Sequence, residues 1–213
     1  MEKKKNISMA VIKRLPKYHR YLSELLKNDV DRISSKELSE KIGFTASQIR
    51  QDLNCFGDFG QQGYGYNVRE LYRQISNILG LTKEYDIVII GAGNIGQAIA
   101  NYNRFEKLGF VLKGIFDANP KLIGMKIRDI EIQDIDNLEG FLSQNSIDLG
   151  VICVPRVNAQ KICTSLVNNN VKGIWNFAPV DLVVPEDVTI ENVHLSESLL
   201  TLAYLLNERS EQE

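Results

Sequence analysis

What this chain has little of narrows it first. Its three cysteines, Cys55, Cys153 and Cys163, stand at unrelated spacings, which excludes a disulfide framework and a cysteine-based zinc site. Two histidines, His19 and His194, are all the imidazole on offer for acid–base chemistry. No apolar run approaches the roughly 18 to 20 residues that a membrane-spanning helix needs. The segment through Lys13 is basic and lacks the apolar core of a secretory signal. The expectation is a cytoplasmic chain that binds no metal. Its 44% hydrophobic and 24% charged residues exclude intrinsic disorder and little else.

The formal charge of -2 conceals a split. Residues 1–85 carry 15 Lys and Arg against 10 Asp and Glu, whereas residues 86–213 carry 10 against 17. In the first part the cations crowd early: Lys3, Lys4, Lys5, Lys13, Arg14, Lys17 and Arg20 face only Glu2. A basic segment ahead of an acidic one points to two domains with different partners. A solvated helix face would explain a lone basic run equally well, so the motifs decide.

Ile12, Leu15, Tyr18, Leu22, Leu25 and Leu26 follow helical spacing up to Asn28-Asp29. Pro16 lies inside that pattern, so the helix either begins there or is kinked there. Ser34, three residues before Glu37, fits a capping box that opens a short helix to Ile42, with Gly43 placed to end it. Thr45 is placed to cap a third helix carrying Ile49, Leu53 and Phe56, with Gln48, Arg50 and Gln51 on other faces. Two short helices joined by a glycine turn read as a helix-turn-helix, a weak signal alone. The glycine-punctuated, aromatic stretch from Phe56 to Tyr66 cannot continue a helix and reads as a β-ribbon, either the wing of a winged helix or a plain surface hairpin. In a winged helix the third helix enters the major groove. Residues 67–80 then read as a connecting helix.

At Asp86 the period changes. Ile87-Val88-Ile89-Ile90 suits a buried parallel strand. It runs into Gly91-Ala92-Gly93-Asn94-Ile95-Gly96, a helical stretch to Leu108, and a second strand from Val111 to Phe116 that ends at Asp117. Strand, G-x-G-x-x-G, helix, strand and acid within about 30 residues is the context that makes a glycine motif evidence for a dinucleotide. Gly91 makes the tight turn, Gly93 admits a pyrophosphate to the backbone, and Gly96 permits close helix–strand packing. Asp117 is placed to accept hydrogen bonds from ribose hydroxyls and to repel a 2′-phosphate, favouring NAD over NADP. Strands over 149–154, 173–177 and 188–193 and a helix from Val157 to Val167 continue the alternation. A leucine-rich helix from Leu195 to Leu206 has two fates open, packing on its own sheet or reaching a second subunit.

Over nearly its whole length the sequence resembles the Rex family of redox-sensing repressors. The likeness is carried by Arg14-Leu15-Pro16-x-Tyr18-x-Arg20, Ser34-Ser35-x-Glu37-Leu38, Gln48-Ile49-Arg50-x-Asp52-Leu53 and Phe56-Gly57-x-Phe59-Gly60-x-x-Gly63-x-Gly65-Tyr66. Beyond these stand the glycine loop with Phe116-Asp117, Val154-Pro155, and Gly173-Ile174-x-Asn176-Phe177-Ala178-Pro179. The resemblance implies an α/β chain with a winged helix-turn-helix domain over 1–80 and a Rossmann-like parallel-sheet domain over 81–193. The segment 194–213 would be a C-terminal helix exchanged between the subunits of a homodimer. It implies a repressor, not an enzyme, that holds a pseudo-palindromic operator until NADH closes the dimer and misaligns its recognition helices. NAD+ would compete with NADH yet permit DNA binding. The implied cofactor contacts are Gly91, Ala92, Gly93, Asn94, Ile95, Gly96, Asp117, Val154, Pro155, Phe177, Ala178 and Pro179, together with Tyr102 and His194. The implied DNA contacts are Arg14, Ser47, Gln48, Arg50, Gln51, Gln62 and Tyr64. Arg20, Tyr102 and a residue at the start of the exchanged helix would form a polar contact that differs between the two states.

The chain departs from the family pattern at three of these positions. His194 stands where many members carry Asp, so the polar contact is expected to be weakened or pH-sensitive, or else His194 is a plain interface residue. Gln51 and Gln62 stand where basic residues are common, which predicts weaker and less salt-dependent DNA binding, with Gln still able to read adenine. Two other readings fit parts of the sequence. An NAD-dependent dehydrogenase needs an acid or base beside the nicotinamide, where only His194 is available, and the 128 residues after residue 85 leave no room for a substrate domain. A nucleotide-binding interaction module leaves the basic N-terminal part unexplained. Cys153 and Cys163 read as inert buried thiols, and Cys55 is the one whose oxidation would affect DNA binding. Trp175 reads either as a reporter of cofactor binding or as plain core.

Overall fold

The change of hydrophobic period near Asp86 is also where the chain divides. The computed structural model, which describes residues 7–57, 59 and 64–210, separates into two units between Lys83 and Glu84.

The first unit runs α1 (Met9–Ile12), α2 (Leu15–Lys27), β1 (Arg32–Ile33), α3 (Ser35–Ile42), α4 (Ala46–Asn54), β2 (Tyr66–Asn67) and α5 (Val68–Ile78). Pro16 falls in the first turn of α2, where its missing N–H costs no hydrogen bond, so the helix begins there and is not kinked. Ser34 and Glu37 form the reciprocal capping box, the Ser34 N–H donating to Glu37 Oε2 at 2.8 Å and the Glu37 N–H to Ser34 Oγ at 3.1 Å. Thr45 Oγ1 accepts from the Gln48 N–H and starts α4. Leu15, Tyr18 and Leu22 of α2, Leu38 and Ile42 of α3, Ile49 and Leu53 of α4, and Val68, Leu71 and Ile75 of α5 share one buried core. Phe56 packs on that core from beyond the end of α4. In the expected ribbon, Tyr66–Asn67 pairs antiparallel with Arg32–Ile33, a partner with no signal in the sequence because it is two residues long. Residues 58 and 60–63 of that ribbon, Gln62 among them, lie outside the described residues.

The second unit runs β3 (Tyr85–Ile90), α6 (Asn94–Ala100), β4 (Phe110–Asp117), β5 (Lys126–Ile127), β6 (Ile130–Asp134), α7 (Leu138–Gln144), β7 (Leu149–Ile152), α8 (Arg156–Asn168), β8 (Gly173–Asn176), β9 (Thr189–Asn192) and α9 (Leu195–Ser210). The sheet order is β5-β6-β4-β3-β7-β8-β9, parallel throughout except for the β5–β6 hairpin at one edge. This is the doubly wound arrangement: the chain works outward from β3 on one side, then returns to build the other from β7. Alternation along the strands divides the core. Val88, Ile90, Phe116, Ile152 and Ile174 face one way, Ile89, Ile115 and Val151 the other.

Two details differ from the sequence reading. The helix after the glycine loop ends at Ala100, not Leu108, and Glu106–Leu108 form a separate 3-10 turn; beyond Asn101 the backbone bonding tightens, the Tyr102 N–H donating to the Ile99 carbonyl. The stretch from 118 to 148, to which the sequence assigned no element, supplies β5, β6 and α7. In α9 no residue is buried, and Leu195, Leu199, Leu200, Leu202, Leu205 and Leu206 are all exposed.

Candidate functional site

In an open parallel sheet the reversal of strand order leaves a crevice beyond the carboxyl ends of the two central strands. Here that point lies between β3 and β7, and it opens into a cleft of about 780 Å³, well within the range of small-molecule and cofactor sites. Ile90, Gly91, Gly93 and Ile95 line it from the β3–α6 turn, Asp117 from the end of β4, Cys153, Val154 and Pro155 from the end of β7, and Phe177 and Pro179 from beyond β8.

The glycine loop fits a dinucleotide by what it cannot tolerate. Gly91 holds φ at +99°, and a Cβ there would strike the Cys153 carbonyl oxygen. A Cβ on Gly96 would strike the carbonyl oxygen of Gly91 itself. At Gly93, by contrast, no protein atom lies within 4 Å of where a Cβ would stand. The loop is thus tight against its own sheet and open only on the side of the cleft, the arrangement that lets a ligand's phosphates reach backbone N–H groups.

Asp117 is oriented by two backbone donors. Its Oδ2 accepts from the Ala92 N–H at 2.6 Å and its Oδ1 from the Asn119 N–H at 2.7 Å. Each oxygen keeps a further lone pair for a hydroxyl in the cleft. Beyond β8 the buried Asn176 shapes the segment that carries Phe177 and Pro179. Its Nδ2 donates to the Val180 carbonyl and to Asn192 Oδ1, and its Oδ1 accepts from the Ala178 N–H. Ala92 and Ala178 are buried behind the lining, Asn94 is exposed at the start of α6, and Gly96 sits beneath the loop.

Sequence reasoning missed the far end of the cleft. Asn158, Lys161, Ile162 and Ser165 line it from one face of α8, at helical spacing, opposite Ile135, Asp136, Leu138 and Glu139. The spacing on α8 was legible, but the facing segment lies in the stretch to which the sequence assigned no element.

Tyr102 is exposed and heads a run of edge-on aromatic contacts: Tyr102 to Phe105 at 4.8 Å, Phe105 to Trp175 at 5.6 Å, and Trp175 to Phe177 at 4.7 Å between ring centroids. Trp175 is therefore half-buried core and also one ring removed from the cleft. His194 Nε2 lies 3.1 Å from Asp181 Oδ1, an acidic neighbour the sequence did not foretell. Cys153 lines the cleft, and burial pushes its thiol up to about 12. Burial also raises the thiol of Cys163 in the core. Cys55 is half-exposed and donates to the Gln51 carbonyl.

In the first unit, α4 buries Ile49, Asp52 and Leu53 and exposes Ser47, Arg50, Gln51 and Asn54. These four sit at i, i+3, i+4 and i+7 and form one polar face. Asn54 belongs to it and was not anticipated, while Gln48 is half-buried. Arg50 Nη1 donates to Ser35 Oγ at 2.9 Å, and Tyr64 is exposed with its carbonyl accepting from Arg32. Arg14 faces inward: its guanidinium makes a two-pronged contact with Asp52 on α4.

Comparison with known proteins adds the following. A family model described as a CoA binding domain matches residues 82–180, and one described as a putative DNA-binding protein N-terminus matches residues 6–54. The chain is 76% identical, over 97% of its length and 98% of the relative's, to the redox-sensing transcriptional repressor Rex of Clostridium perfringens (strain SM101 / Type A). It is 77% identical, over 99% of its length and 100% of the relative's, to that of Clostridium tetani (strain Massachusetts / E88). Among solved structures, RSP in complex with beta-NAD+ and operator DNA matches with a TM-score of 0.90 at 64% identity, covering 97% of this chain and 95% of that one. RSP in complex with beta-NADH matches with a TM-score of 0.89 at 62% identity, covering 97% of both chains.

Proposed function

This chain belongs to the Rex family of redox-sensing transcriptional repressors, and from that premise we propose that it holds operator DNA with its first unit and lets go when NADH fills the cleft of its second. The observation that carries the reading is the cleft at the β3–β7 switch point, with Asp117 held ready by the Ala92 N–H. Gly91, Gly93, Ile95, Val154, Pro155, Phe177 and Pro179 would line the dinucleotide, with Ala92, Asn94, Gly96 and Ala178 shaping the loops around it. Asp117 would take the adenosine ribose and disfavour a 2′-phosphate. The bound nucleotide supplies a nicotinamide ring that is neutral when reduced and cationic when oxidised. What this chain's own residues do is hold that ring in place and transmit the difference, the role assigned to Tyr102 and His194.

The DNA-reading surface is the exposed face of α4, with Ser47, Arg50 and Gln51 toward the bases and Tyr64 beside them. Arg50 carries the direct readout, steadied by Ser35. A pseudo-palindromic site needs two copies of this face, and α9 supplies a reason for two copies to stay together. Its six exposed leucines would each gain roughly 1.5–3 kcal/mol on full burial, and a second subunit exchanging the same helix would cover them. The working protein is a homodimer in the cytoplasm that needs no metal.

The test is fluorescence anisotropy of a labelled pseudo-palindromic duplex with the purified protein. NADH is expected to release the duplex and excess NAD+ to restore binding. Binding indifferent to both nucleotides would end the redox reading. NADH binding with no DNA binding at low salt would return the dehydrogenase to consideration.

A further inference from the structure

Lys17 is exposed on α2, and among the described residues its ammonium forms no hydrogen bond or ion pair. What holds its ammonium is a ring: Nζ stands 4.7 Å from the centroid of Phe44. Phe44 immediately precedes Thr45, the cap of α4, and is itself fixed. Its ring meets the edge of Tyr18 at 5.9 Å, and the Arg14 guanidinium lies 5.8 Å from the same centroid. The hydroxyl of Tyr18 in turn donates to Asp52 on α4. The Lys17 charge is therefore placed with respect to the α4 face by a short chain of packed contacts, although its own side chain is long and solvated.

Within the unit that placement is electrostatically poor. With the Asp52 carboxylate already engaged by Arg14, Arg20 is a further cation on the same helix, and the start of α4 is the positive end of its dipole. An exposed cation–π contact offers only about 0.5–1 kcal/mol in return. An anionic backbone passing the face of Ser47, Arg50, Gln51 and Asn54 would reverse the sign of every one of these terms.

We propose that Lys17 contacts a DNA backbone phosphate, held in position for it by the Phe44 ring. The inference rests on the repressor reading above. It adds a sequence-independent contact that strengthens operator and non-operator DNA alike, leaving discrimination to α4.

The experiment titrates the full-length protein onto an operator duplex and a scrambled duplex of equal length, across about 50 to 200 mM KCl. Lys17→Met keeps the apolar stem and removes the charge. It is expected to flatten the slope of log K against log salt by about 0.9 per subunit on both duplexes, with NADH affinity unchanged. Lys17→Arg is expected to restore the slope. Phe44→Leu keeps the charge and loses the ring, so affinity falls while the slope stays nearer the wild type. A Lys17→Met protein that melts like the wild type and shows the wild-type slope overturns the proposal. Should the wild type bind neither duplex at low salt, the repressor reading itself fails, a result distinct from an unchanged slope.

Discussion

The guanidinium of Arg14 grips the carboxylate of Asp52 through two parallel bonds, Nε to Oδ2 at 2.6 Å and Nη2 to Oδ1 at 2.7 Å. The buried Tyr18 hydroxyl donates a third, to Oδ2 at 2.6 Å. Burial, with the Asp52 contact second, pushes the Tyr18 phenol well above its ordinary range, so it stays a donor. Together these bonds lock α2 to the inner face of α4, the helix whose outer face is proposed to read DNA. Arg14, which the resemblance implies touches DNA, is engaged with Asp52 in this structure.

Removing Asp52 should therefore be expensive. Asp52→Ala leaves Arg14 and Tyr18 without an acceptor and is expected to cost about 3–5 kcal/mol, the range for breaking one side of a buried pair. Urea unfolding followed by circular dichroism measures it, and a change below about 0.5 kcal/mol would mean that the clamp contributes nothing. Arg14→Met separates positioning from contact. Weaker operator binding at an unchanged salt slope is the expected result, whereas a flatter slope would make Arg14 a phosphate ligand after all.

Asp117→Ala should loosen the cleft twice, by stripping the Ala92 and Asn119 N–H groups of their acceptor and by removing the ribose partner. Hydrogen bonds to a charged group are worth about 1.5–3 kcal/mol, so NADH affinity should fall roughly 10- to 100-fold by calorimetry. The preference for NADH over NADPH should narrow as well. Affinity within twofold of wild type would show that Asp117 does not hold the ribose.

The two glycines at either end of α6's first turn predict opposite signatures. Gly96→Ala drives a Cβ into the Gly91 carbonyl and should destabilise the unliganded protein by about 1–3 kcal/mol. Gly93→Ala meets no protein atom within 4 Å, so its stability cost should stay below about 1 kcal/mol while NADH binding suffers. Differential scanning calorimetry with and without NADH distinguishes them, and equal losses in both variants would contradict the geometry.

The thiols should react in the order of their exposure. Cys153, pushed to about 12 by burial, carries almost no thiolate at pH 8, so iodoacetamide should label Cys55 first. The sign of the linkage follows. An unfolded cysteine ionises near 8.5 while the folded Cys153 keeps its proton, so its contribution to stability is intact below about pH 8.5 and declines as pH rises toward 12. Cys153→Ala should flatten that decline. Early labelling of Cys153 would place it in a more open environment than the fold describes.

His194, where the family pattern has Asp, lies 3.1 Å from Asp181. His194→Asp would set two carboxylates side by side at the entrance to α9, and like charges at that distance repel. Asp181→Asn/His194→Asn removes the pair and is expected to change the NADH concentration at which operator is released. An unchanged concentration would leave His194 a plain interface residue.

Local chemistry let the sequence determine a good deal by itself. The Ser34–Glu37 box, the Thr45 cap, the Gly43 stop, the apolar strand ahead of Gly91 and the acid at Asp117 all act within a few residues of chain, so their signals lie side by side in the text. Nothing in that text paired Arg14 with Asp52, 38 residues away, or Arg32–Ile33 with Tyr66–Asn67, because a partner across space is chosen by packing. The same holds for Asp136 and Glu139 opposite α8, and for the side of α4 on which Asn54 emerges, which depends on where the buried core lies. The helix after the glycine loop ends where the backbone bonding tightens past Asn101, the Tyr102 N–H turning to the Ile99 carbonyl, a change that periodicity does not register. Tertiary structure thus settled which residues face the cleft and the α4 surface, while the existence of both was already written in the spacing of glycines, caps and apolar runs.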